Sequence, residues 1–190
     1  MAFHLNEGLI QPAHWVPSPN YSARPDARDI SLVVVHNISL PPGEFGGGFV
    51  EAFFQNRLDA SLHPYFAEIA SLRVSAHCLI DRAGALVQFV NLHERAWHAG
   101  VSSFAGRDNC NDYSVGIELE GADTTAFTDA QYQTLAQLCA ALMREFPLIT
   151  PGRIVGHSDV APGRKTDPGP AFDWDYFQAA LLSCAPPMAY

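Results

Sequence analysis

The chain has 190 residues, 48% of them hydrophobic and 16% charged, with a formal net charge of -9. That composition suits one folded domain and argues against a disordered chain. The acidic balance argues against nucleic acid or an anionic membrane as partner, because both need clustered Lys and Arg to displace counterions.

The first residues, MAFHLNEG, lack the basic region and apolar run of an export signal. No stretch is apolar for long enough to span a bilayer, so the expectation is a cytoplasmic protein. Four cysteines (Cys78, Cys110, Cys139 and Cys184) are scattered without a close pair. They read as buried or free thiols in a reducing compartment.

In chain order, residues 1–30 are polar and proline-rich and read as an irregular surface arm. Residues 31–36, SLVVVH, make a short β-branched run that suits a buried strand. The PPG at 41–43 and GGG at 46–48 then impose a loop. Phe49, Val50, Phe53, Phe54 and Leu58 recur at helical spacing. Residues 73–80 alternate, with Val74, Ala76, Cys78 and Ile80 on one face and Arg73, Ser75 and His77 on the other. The DRAG turn at 81–84 and a returning strand at 86–90 complete a β-hairpin. Residues 114–120, SVGIELE, predict a strand in which Ile117 and Leu119 oppose Glu118 and Glu120. Thr128 with Gln131 has the pattern of a capping box, opening a helix that buries Tyr132, Leu135, Cys139, Leu142 and Phe146 and ends at Pro147. Asp173 caps a last helix that buries Trp174, Phe177 and Leu181. The expected architecture is α/β: a single domain over residues 1–190, with a central mixed β-sheet flanked by α-helices.

Two places concentrate chemistry. His36 ends a buried strand and precedes a glycine-rich loop; alone, it reads better as an ordinary core or surface histidine than as a ligand. The second is the loop GHSDVAPGRKTDPGP at 156–170, where prolines and glycines stiffen a backbone carrying His157, Lys165 and Asp167, and Pro168 biases Asp167 towards an extended conformation. Two histidines and a carboxylate form a three-ligand set for catalytic zinc, with the fourth position left for water. No H-E-x-x-H helix ties them together, so spacing leaves that site open. Glu118 is a carboxylate on an apolar strand, costly to bury unless it faces a cleft or a cation. Glu120 shares its face as an exposed or structural carboxylate. Lys165, two residues before Asp167, places a cation where an oxyanion would develop.

Six stretches then carry a resemblance: VVVHNISLPPGEFGG (33–47), HPYFAEI (63–69), RVSAHCLI (73–80), RAWHAGVSSF (95–104), CNDYSVGIELEG (110–121) and GHSDVAPGRKTDPGPAFDW (156–174). Together they resemble the zinc-dependent N-acetylmuramoyl-L-alanine amidases, the family that also includes peptidoglycan recognition proteins, over nearly the whole chain from about residue 15. The resemblance implies that His36, His157 and Asp167 bind one Zn²⁺ ion. It implies that Glu118 activates the attacking water and that Lys165 stabilises the oxyanion, while Asp159 has a structural role. The implied substrate is a cytosolic anhydro-muropeptide, cut between the lactyl group of the sugar and the first L-Ala, by a monomer that takes part in muropeptide recycling. Asn37 and Trp97 are then candidates for contacting sugar and peptide, and Arg73 and Arg107 for pairing with peptide carboxylates. Tyr65 and His77 are expected to line or orient the site, and His98 reads as a support to it or as a core histidine. Two other readings compete: a module that holds muropeptides without cutting them, which loss of a ligand would favour, and an amidase of intact cell wall, which an export signal would favour.

Overall fold

The computed structural model describes residues 3–184; residues 1–2 and 185–190 of the expected domain lie outside the described residues. A six-stranded sheet runs through the middle. Its strands are β3 (His14–Trp15), β5 (Leu32–Ile38), β6 (Cys78–Ile80), β7 (Leu86–Gln88), β11 (Ser114–Glu120) and β12 (Ile154–Gly156), in the order β12-β5-β11-β6-β7-β3. The first four of that order pair in parallel, β7 runs antiparallel to β6, and β3 closes the far edge parallel to β7. The sheet is therefore mixed, as expected.

One face of it is covered by α3 (Asp129–Glu145) and α5 (Trp174–Cys184). Val33, Val35, Val115, Ile117 and Leu119 pack there against Leu135, Cys139, Leu142, Phe177 and Leu181. Both helices start as the residues dictate. Thr128 and Gln131 make the reciprocal bonds of a capping box, and the Asp173 carboxylate accepts from the Tyr176 N–H at 2.9 Å. On the other face lie α1 (Phe49–Phe54), α2 (Pro64–Ile69) and the short α4 (His157–Val160). Val50, Phe53, Phe54 and Phe66 pack there against Leu79, Val87 and Phe89. No helix of the described residues is long and apolar enough to cross a membrane. All four cysteines are free, three of them buried. Burial pushes the Cys78 and Cys139 thiols far above the ordinary range, which disfavours the thiolate.

Several expected elements change length. The arm is not irregular: β1 (His4–Asn6) and β2 (Leu9–Gln11) form a hairpin, β3 joins the sheet, and β4 (Tyr21–Ala23) pairs with β8 (Glu94–Ala96). Strands of two or three residues carry too little alternation to be read from sequence. Two of them, β3 and β4, also depend on partners far along the chain, β7 and β8. The helix from Phe49 stops at Phe54, because Asn56 turns into the left-handed region at φ 59°, although Leu58 stays buried. Of residues 73–80 only the last three form ladder. Ser75 and His77 donate their N–H groups to Trp97 O and Gly116 O instead, so no continuous strand pairing develops. The returning strand ends at Gln88 rather than residue 90, and β5 runs two residues past His36. A two-stranded ribbon, β9 (Ser103–Phe104) with β10 (Arg107–Asp108), lies before β11.

His77 is fully buried and does not line the cleft, but its ring packs 5.8 Å from that of His98. Its Nδ1 accepts from the Gly116 N–H at 3.0 Å, which leaves the proton on Nε2, 3.0 Å from Glu94 O. The Arg24 guanidinium lies 3.0 Å from the same nitrogen and is itself buried, donating to the carbonyls of Leu92 and Ser114. Burial, with the Arg24 charge adding to it, lowers the His77 imidazole to about 3.

Two outcomes follow from these contacts. Thr128→Ala is expected to cost about 1 kcal/mol and to lower Tm by about 2–4 °C in a chain of this size, as read by calorimetry. Unfolded, His77 regains a pKa of about 6.5, so below that pH the unfolded chain binds one more proton than the folded one. Its contribution is therefore complete above pH 6.5 and is lost as pH falls, at about 1.4 kcal/mol per pH unit. Urea unfolding of His77→Gln between pH 6.5 and 4.5 should show a slope shallower by one proton; an unchanged slope would refute the buried neutral imidazole.

Candidate metal centre and cleft

The parallel register decides what shares a face. His36 on β5 pairs with Glu118 on β11, and Val34 with Gly116. Because successive side chains alternate, Leu32, Val34 and His36 point away from α3, as do Ser114, Gly116, Glu118 and Glu120. The same row thus brings a histidine and a carboxylate to the C-terminal end of the parallel strands, where open α/β sheets present their ligand crevices. Here β11 departs from simple alternation of buried and exposed positions: all seven of its residues are buried. Glu120 is structural, its carboxylate accepting from the Gly46 N–H at 2.5 Å and the Arg82 N–H at 3.2 Å.

His157 arrives from the neighbouring strand. β12 pairs with β5, and α4 begins at His157 immediately beyond it. Asp159 takes the structural place expected of it, accepting from the Gly156 N–H at 2.7 Å. The chain then loops back. The Ser158 N–H donates to Asp167 O, and the Asn37 amide holds the loop by donating to Pro168 O at 3.0 Å and to Asp123 Oδ1 at 2.7 Å. Gly169 sits at φ 83°, and a Cβ there would lie 2.2 Å from Asp123 Cα, so only glycine permits this closure.

The result is a triangle. His36 Nδ1 and His157 Nδ1 are 3.0 Å apart, and each is 3.0 Å from Asp167 Oδ2. His36 and His157 are buried, and Asp167 is partly so. Burial lowers the His36 imidazole to about 4, against the pull of the Asp167 hydrogen bond. Burial alone would raise the Asp167 carboxyl, but the hydrogen bonds with His157 and His36 outweigh it and hold the group well below the usual carboxylate range. A neutral His36 imidazole and an ionised carboxylate converging on one point have the chemistry of a divalent-metal site. The 3.0 Å edges are close to the ~3.3 Å between ligands of a tetrahedral ion at ~2.0–2.1 Å bond lengths. Both remaining ring nitrogens are engaged, His36 Nε2 at 2.9 Å from His98 Nδ1 and His157 Nε2 at 3.1 Å from Ala99 O.

Glu118 stands beside this triangle with its Oε2 buried and without a hydrogen-bond partner. Burial raises its carboxyl well above the usual range; the Asp167 charge adds to this and the Lys165 ammonium opposes it. A buried carboxylate next to a cleft, with its pKa raised, has the chemistry that a general acid–base group needs.

These residues form the floor of a cleft of about 620 Å³. Asn37, Tyr65, Trp97 and Lys165 line it, with an apolar wall from Phe53, Ile69, Leu72 and Val74. Two arginines fall outside it. Arg73 is exposed and donates to Ala70 O and Leu72 O. Arg107 pairs with Asp29 at 2.6 Å and stacks on Tyr113, 4.0 Å from the ring centroid. Asp123 and Arg164 line the cleft without having been singled out from sequence. For Arg164 the signal was available, since it adjoins Lys165 in the same rigid loop; for Asp123 there was none.

Comparison with known proteins agrees with this geometry. The sequence pattern of the N-acetylmuramoyl-L-alanine amidases matches residues 26–170. The 1,6-anhydro-N-acetylmuramyl-L-alanine amidase AmpD of Citrobacter freundii is 59% identical over 177 residues, covering 93% of this chain and 94% of that protein. A crystal structure of a selenomethionine AmpD derivative superposes with a TM-score of 0.91 at 58% identity, covering 94% of this chain and 99% of the other. AmpDh3 from Pseudomonas aeruginosa, in complex with an anhydromuramic pentapeptide, superposes with a TM-score of 0.64 at 30% identity, covering 82% and 61%. The chain belongs to the N-acetylmuramoyl-L-alanine amidase family.

Proposed function

We propose that the chain, as a single amidase domain, hydrolyses the amide between the lactyl group of 1,6-anhydro-N-acetylmuramic acid and the L-alanine of the stem peptide. The observation that carries this reading is the His36–His157–Asp167 triangle with the unpartnered Glu118 carboxylate beside it, in one cleft. The relative of 59% identity is named for the anhydro sugar, and the AmpDh3 structure holds an anhydromuramic pentapeptide. Both support this substrate class. Free cysteines suit a reducing compartment, which supports work in the cytoplasm, and the relatives named for the anhydro sugar support a place in muropeptide recycling.

His36, His157 and Asp167 would hold Zn²⁺, which when bound lowers the pKa of water to about 7 and polarises a carbonyl. The protein's own groups do the rest. Glu118 takes a proton from the attacking water and returns it to the alanine nitrogen as the C–N bond breaks. Its raised pKa fits both halves of that exchange. Lys165 faces the cleft and supplies positive charge to the carbonyl oxygen as it becomes an oxyanion. Asn37, Tyr65 and Trp97 are placed to contact sugar and peptide, with the apolar wall receiving the less polar parts of the substrate. The Asn37 amide is already committed to Asp123 and Pro168, so only its carbonyl oxygen is left for a ligand.

Mass spectrometry on an anhydro-muramyl peptide is expected to show two products, the anhydro sugar acid and the free stem peptide, with release stopped by a chelator and restored by Zn²⁺. Binding without release would make the protein a muropeptide-binding module, and faster release from intact sacculi would make it a wall amidase. Among single changes, Asp167→Ala should lower zinc occupancy by elemental analysis. Glu118→Gln should keep the metal while lowering kcat by at least about 100-fold; undiminished turnover would move the base role elsewhere.

A further inference from the structure

The two metal-facing imidazoles share one support. His36 and His157 both turn Nδ1 towards Asp167, so each must carry its proton on Nε2 when Nδ1 binds a metal. Each Nε2–H then needs an acceptor, and both acceptors come from neighbouring residues. His98 Nδ1 is 2.9 Å from His36 Nε2, and the carbonyl of Ala99 is 3.1 Å from His157 Nε2. The Asn111 side chain clamps this pair of residues, its buried Oδ1 accepting from the N–H of His98 at 3.2 Å and of Ala99 at 2.8 Å.

A carbonyl can only accept, but an imidazole nitrogen can do either, so His98 needs a further constraint. Ser114 Oγ lies 3.2 Å from His98 Nε2 and can receive its proton, leaving Nδ1 bare. The ring lies across β11 at Gly116, where a Cβ would come within 2.4 Å of His98 Cγ. The His98 and His36 rings meet edge to face, 5.0 Å between centroids.

We propose that His98 is a positioning residue for the metal centre: through Nδ1 it holds His36 in the tautomer and orientation that present Nδ1 to the ion, with Ala99 doing the same for His157. It does not touch the ion or the substrate amide in this role. The proposal rests on the zinc reading above, and second-sphere acceptors of this kind typically change metal affinity 10- to 100-fold.

The test uses the full chain, with and without Zn²⁺. Long-range ¹H–¹⁵N spectra of the wild type are expected to show His98 protonated on Nε2 and bare on Nδ1; a proton on His98 Nδ1 overturns the proposal. Competition with a chromophoric chelator then compares the wild type with His98→Phe, which keeps a ring over Gly116 but has no acceptor, and His98→Asn, whose Oδ1 can stand where Nδ1 stood. A 10- to 100-fold weaker affinity for His98→Phe, largely recovered in His98→Asn, is expected. Equal affinity in all three, or equal loss in both variants, sinks it. If His98→Phe does not fold, the wild-type tautomer and the affinity of His98→Asn decide. A folded wild type that binds no Zn²⁺ removes the zinc reading instead, and the spectra still report on His98.

Discussion

The site depends on the register in which β5 pairs with β11. His36 stands opposite Glu118 in a parallel ladder, so the two side chains leave the sheet on the same face and at the same level. A slip of one residue would turn every side chain of one strand to the other face, sending His36 into the α3 layer and Val35 into the cleft. The apolar residues between them prevent this slip. Val33, Val35, Ile117 and Leu119 fit only against the helices, so burial of that layer locks the polar row outward. Core packing and catalytic geometry are thus one constraint expressed on two faces.

The polar face is itself largely buried, which explains its dense hydrogen bonding. Glu120, Arg24 and His77 each have partners, and none is left charged and alone in the interior. Glu118 Oε2 is the exception among the described side chains. An orphaned carboxylate oxygen is destabilising in a core, but it is serviceable beside a cleft where a water or amide nitrogen can meet it. The site around it is held from several sides: α4, the Asp167 loop, and the Asn37–Asp123 clasp.

Two glycines make that assembly fit. Gly116 lets the His98 ring lie against the sheet beneath His36, and Gly169 lets the loop after Asp167 approach Asp123 closely. In the sequence each looks like a minor irregularity, Gly116 in a strand where glycine is unfavourable and Gly169 among prolines. Both are explained by what passes over or beside them in three dimensions.

Much of the architecture was legible in the residues. The capping box at Thr128, the apolar stripe of α3, the Asp173 cap and the strand at 114–120 all follow local rules of period and hydrogen bonding, and all appear where the patterns put them. The short strands of residues 3–30 did not show, because two or three residues carry no period. The metal trio was named through a family resemblance, since residues 121 and 131 positions apart have no spacing to read. The rim was the least legible part. Arg73, Arg107 and His77 have the right chemistry for a peptide carboxylate or a ligand, yet one bonds its own neighbouring carbonyls, one pairs with Asp29, and one is buried beside Arg24. Sequence by itself determined the longer helices and strands and which residues carry reactive chemistry, because those depend on neighbours along the chain. Only the tertiary structure decided which reactive groups meet, because that depends on strand register and on loops returning from far away, where a single ångström or a single residue changes the partner.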